Sequence, residues 1–100
     1  MKTTLTVVLC GTLKDAEKRM YLDFERLYRT YPKARKVMCN HTIEVNEIWV
    51  NKYISIRQLQ NYGGFKPRYM EADVSAFLTA TPEQMKSITE WYKSVVAYMR

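Results

Sequence analysis

Apolar positions along the 100-residue chain first alternate, then recur in threes and fours, then alternate again before a second helical run. Leu5, Val7 and Leu9 interleave with Thr4, Thr6 and Val8, which predicts a strand over residues 3–10 with both faces partly buried. Gly11 breaks it, and Thr12 followed by Asp15 offers the cap of a new helix. Leu13, Ala16, Met20, Phe24, Leu27 and Tyr31 then fall on one helical face, which Pro32 ends.

Three alternating segments follow. Val37, Cys39, His41, Ile43 and Val45 share a face of one expected strand, and Asn46-Glu47 suits a tight turn. Ile48, Val50, Ile54 and Ile56 share a face of the next, with Lys52 as a polar exception. Asn61 to Pro67, with Gly63-Gly64 at its centre, reads as a loop. Met70, Ala72, Val74, Ala76 and Leu78, against Glu71, Asp73 and Ser75, predict a further amphipathic strand. Thr81, Pro82 and Gln84 open a last helix whose expected buried stripe is Met85, Ile88, Tyr92, Val95, Val96 and Met99, flanked by Trp91 and Tyr98. The expectation is one α+β domain over residues 1–100 in the order β-α-β-β-β-α. Its mainly antiparallel four-stranded sheet would carry both helices on one face.

Composition narrows the class. Hydrophobic residues at 47% and charged residues at 26% exclude intrinsic disorder. No run approaches the roughly 18 apolar residues of a membrane span, and the first ten residues lack the apolar core and cleavage site of a secretion signal. A cytoplasmic protein with no membrane partner is expected, its Cys10 and Cys39 being buried free thiols. The net charge of +6 is uneven: residues 1–36 hold +5 and the remaining 64 hold +1. Such an excess suits nucleic acid, a nucleotide or an acidic protein surface.

Little in the chain marks catalysis. The single histidine, His41, shares a predicted strand face with Cys39, but no acid is placed to orient it. Cys10, Cys39 and His41 lack zinc spacing. Glu71 and Asp73 lie two apart on a strand, where a solvated face explains them. No phosphate-loop or dinucleotide motif occurs, nor the motifs of a sheet-type RNA-binding domain. No catalytic residue, metal or cofactor is expected.

Binding is better marked. Residues 26–36 hold five cations and no acid. Arg26 and Arg29, with Lys18 and Arg19, fall opposite the apolar stripe of the first helix, and the band continues through Lys33, Arg35 and Lys36. Lys66 and Arg68 alternate with aromatics in the loop. If both helices covered one sheet face, the other would present Trp49, Tyr53, Arg57, Tyr69 and Phe77 among polar residues, an aromatic platform for bases, a partner protein or a homodimer. Glu44, Glu71 and Asp73 on that face favour a protein over a polyanion. The leading expectation is a non-enzymatic protein that contacts nucleic acid or a nucleotide through the basic band and loop. The alternative is a protein-binding module, such as a small inhibitor or regulator of the kind viruses and mobile elements encode. A hydrolase using Lys, Arg or Tyr is a third reading.

Overall fold

A computed structural model describes residues 4–46, 49–58 and 69–99, the last six of these by backbone alone. Strand β1 (Thr4–Cys10) leads into helix α1 (Leu13–Thr30); β2 (Arg35–Val37), a 3-10 turn (Met38–Asn40), β3 (Thr42–Val45) and β4 (Trp49–Ser55) follow. The described chain resumes with β5 (Tyr69–Ala72) and ends in α2 (Val74–Thr79) and α3 (Pro82–Met99). The fold is α+β, with a mixed five-stranded sheet in the order β2-β3-β4-β1-β5. β1 pairs in parallel with β4 (Thr4 opposite Trp49) and with β5 (Thr6 opposite Tyr69). The β2–β3 and β3–β4 pairs are antiparallel.

β1 is central because it is apolar on both sides. Val7, Leu9, Ile54 and Ile56 pack with Ala76, Ile88 and Trp91 from α2 and α3. Val8, Cys10, Ile43, Val45 and Tyr53 pack on the other side with Ala16 and Met20 from α1. A strand covered on both faces needs a nearly continuous apolar run, which is what Val7 to Cys10 supplies.

Three expectations are corrected here. The helices do not share one face: α1 covers one side of the sheet, and α2 and α3 the other. The sheet is mixed and five-stranded, because β5 joins β1 in parallel rather than extending an antiparallel meander. The expected strand through Leu78 also stops at Ala72. There the Asp73 carboxylate accepts from the Ser75 amide and caps α2, so an N-cap overrides an alternation that favours a strand.

Caps explain the helices that were foreseen. The Thr12 hydroxyl accepts from the Asp15 amide while the Asp15 carboxylate accepts from the Thr12 amide. Thr81 and Gln84 make the same reciprocal pair at the start of α3. Gly11 lies so close to α2 that a Cβ there would sit 2.5 Å from Thr79 Oγ1 and 2.6 Å from the Ser75 carbonyl. Its amide donates to Ser75 Oγ, tying the β1–α1 turn to α2. Of the expected α3 stripe Ile88 is buried, Met85 is half-buried and Tyr92 is exposed, with Trp91 buried in its place. The side chains of Val95, Val96, Tyr98 and Met99 lie outside the described residues, as do Ile48 and the Gly63-Gly64 loop. Among the described residues no helix is long and apolar enough to cross a membrane.

Candidate nucleic-acid interface

Helix α1 lies on the sheet with Ala16, Met20 and Asp23 buried beneath it. At 100° per residue this leaves two flanks, one bearing Arg19 and Arg26 and the other Glu17, Tyr21, Phe24 and Tyr28. The flanks meet different parts of the sheet, and their charges end up in opposite conditions.

The first flank faces β5. Arg19 donates from Nε to both Asp23 oxygens at 3.0 and 3.1 Å, from Nη1 to Asp73 at 2.9 Å and from Nη2 to Glu71 at 2.6 Å. Asp23 also accepts from the Tyr53 hydroxyl at 2.7 Å and from Arg26 Nη2 at 2.9 Å. A carboxylate buried this deeply persists because these donors saturate both oxygens. Burial alone would lower the Arg19 pKa, but its bonds to Glu71, Asp73 and Asp23 outweigh that and raise it. Burial and the Asp23 bond raise Tyr53. Burial pushes Asp73 up, yet the Ser75 hydroxyl and amide and the Arg19 guanidinium hold it below its ordinary 3.8. Cys10, beneath this network, is pushed up to about 12 by burial and then by the Asp73 charge.

The second flank faces the sheet edge at β2. Lys36 Nζ stands 3.7 Å from the Tyr21 ring centroid and 5.2 Å from that of Phe24. Phe24 and Tyr28 are 5.7 Å apart, tilted by 33°. Tyr21 and Tyr28 are each about half exposed. At the end of α1, Arg29 and Lys33 are exposed and form no ion pair among the described residues. Arg35 pairs with Glu44 at 3.2 Å. Lys33, Arg35, Glu44 and Asn46 line a hollow of about 690 Å³. Asn46 takes a left-handed φ of 50°, which suits the turn expected there.

The sequence-predicted site residues therefore divide. Arg29, Lys33, Arg35 and Lys36 gather where α1 meets β2. Arg26 is exposed but bonded to Asp23. Arg19 belongs elsewhere: its side chain is 17% exposed and its charge is spent on three carboxylates. Lys66 and Arg68 lie outside the described residues.

The open aromatic platform is not present. Trp49, Tyr53 and Tyr69 do share a face, but α1 covers it: Tyr53 is fully buried, and Trp49 is half-buried edge-on to Tyr31 at 5.3 Å. Tyr69 is half exposed on β5, Arg57 is exposed in the 3-10 turn after β4, and Phe77 is on α2 rather than on a strand. Nor do Cys39 and His41 share a strand face. The 3-10 turn carries Cys39 to an exposed position, and His41 takes a φ of 51° with Nε2 3.2 Å from Glu17. Among the described residues no group of three or more His, Cys, Asp or Glu could hold a metal ion.

Sequence reasoning missed Asp23, Tyr21 and the Glu71/Asp73 partnership. One signal was available: Asp23 falls in the stripe of Ala16, Met20 and Leu27, and an acid there requires buried donors. No family model, curated protein or solved structure matches the chain.

Proposed function

We propose that the chain is a non-enzymatic nucleic-acid-binding protein whose contact surface is the junction of α1 with β2. The observation that carries this reading is the gathering of Arg29, Lys33, Arg35 and Lys36 at one corner, where Arg29 and Lys33 form no ion pair among the described residues. Against these four cations stand Glu25 and Glu44, so the corner keeps a positive excess. Cations without carboxylate partners can replace the counterions condensed along a phosphate backbone, and the release of those counterions gives a gain in entropy. The hollow beside Lys33 and Arg35 gives a phosphate a recess rather than a flat wall.

Titration of a labelled oligonucleotide at increasing salt tests it. Affinity falls steeply with salt, and Arg29→Glu with Lys33→Glu abolishes binding at unchanged melting temperature, because neither side chain touches the core. Binding that ignores salt, or that survives the double reversal, overturns the reading.

One observation favours a second reading, a protein-binding module. The outward face of α2 is wholly apolar, with Val74 at 67%, Phe77 at 50% and Leu78 at 81% exposure. Three adjacent apolar side chains left in water are what a protein partner's apolar surface would cover. This face belongs to α2, away from the α1–β2 corner, so the two readings concern separate surfaces.

A further inference from the structure

We infer that the nucleic acid taken at the α1–β2 corner is single-stranded, its unpaired bases stacking on Tyr21 and Tyr28; this rests on the nucleic-acid reading above. Tyr21, Phe24 and Tyr28 recur at steps of three and four and so form a stripe along one flank of α1, spanning about 10 Å from the first to the last. Tyr28 leans on Phe24, with centroids 5.7 Å apart, which fixes its ring while leaving about half its surface in water. Tyr21 is equally exposed and already receives a π-face contact from Lys36. The stripe therefore presents rings whose orientation is set by packing and whose surface is not used up by it.

Cations border this stripe. Lys36 stands over Tyr21 and Phe24 from the sheet edge, and Arg29, exposed in the last turn, lies about 100° around the helix from Tyr28. Lys33 lies just beyond it, at the hollow. Aromatic rings between cations match what an unpaired strand offers, bases on one side and phosphates on the other. In a duplex each base is stacked on its neighbours and shows only its edge, so exposed ring faces would gain nothing from it. The aromatic stripe is thus the feature that separates one class of nucleic acid from the other. The cations alone would accept both.

The test compares a fluorescein-labelled thymidine oligonucleotide with the duplex of equal length at fixed salt. Wild-type protein is expected to bind the single strand at least roughly tenfold more tightly. Tyr21→Ala and Tyr28→Ala each weaken single-strand binding by roughly tenfold to a hundredfold, with duplex affinity changed less than about twofold. Tyr28→Phe keeps the ring and restores the wild-type value, which excludes a role confined to the hydroxyl. Both tyrosines are half exposed, so these variants fold, and their melting temperatures confirm it. Equal affinity for both forms, lost on Arg29→Glu with Lys33→Glu, overturns this inference and leaves the phosphate reading standing. Absence of salt-dependent binding to either form overturns both.

Discussion

Arg19 and Arg29 stand on the same helix, ten residues apart, in opposite surroundings. Arg19 meets Asp23, Asp73 and Glu71 within 3.0 Å, and its side chain is 17% exposed. Arg29 is exposed at the helix end without an ion pair among the described residues. The charge count of a helix is therefore a poor measure of the charge it shows to a partner. What decides is whether the facing strand supplies carboxylates: β5 and the residue after it supply two, whereas β2 brings Arg35 and Lys36. One flank fastens the helix down, whereas the other flank leaves its rings, and the helix end its cations, in water.

The contrast breaks most sharply at Arg19. Arg19→Ala leaves Asp23 buried with fewer donors and Asp73 with only Ser75. Breaking a buried pair costs roughly 3–5 kcal/mol; with Glu71 largely solvated, a loss of about 2–4 kcal/mol is expected in urea unfolding. A loss below about 1 kcal/mol would mean that the network does not hold α1 to β5.

Acid sharpens the comparison. The folded pKa of Asp73 lies below its ordinary 3.8, so its contribution is fully present above that value and is lost as pH falls through the lower folded one. In Asp73→Asn this contribution is absent at all pH values, and the fall in stability between pH 5 and acid should be shallower than in wild type. Identical acid-unfolding curves would show that Asp73 is not linked to folding. The smallest effects belong to Lys36 and to the exposed end of α1. Lys36→Ala should cost roughly 0.5–1 kcal/mol through the lost ring contact, and Arg29→Ala should stay within about 0.5 kcal/mol of wild type. A large effect of Arg29→Ala on melting would remove the distinction between Arg19 and Arg29.

Local signals were legible in the sequence, and long-range ones were not. Thr12 with Asp15, and Thr81 with Gln84, announce their helices because a cap is satisfied within three residues. The segment from Met70 to Leu78 was misread because its apolar alternation runs on past Ala72, although the helix that follows buries Ala76 and leaves Val74 and Leu78 exposed. The Asp73–Ser75 bond marks the break. Trp49, Tyr53 and Tyr69 were rightly placed on one face, yet which helix covers that face depends on chain crossing and not on parity. Arg19 looked solvated because its partners Glu71 and Asp73 lie more than 50 residues on. The cations at the end of α1 were visible because nothing distant neutralises all of them.

The central place of β1 also has a consequence for how the chain reaches its native state. The first strand made is the last to be completed, since its neighbours begin 45 and 63 residues later in register. Until β4 arrives, a segment apolar on both faces has nothing to pair with, while β2, β3 and β4 can zip as a local meander. Loop closure must precede most of the contacts that reward it, so acquisition of structure is slow for a chain of this size. During that interval Leu5 to Cys10 is the stretch most exposed to mispairing with other chains.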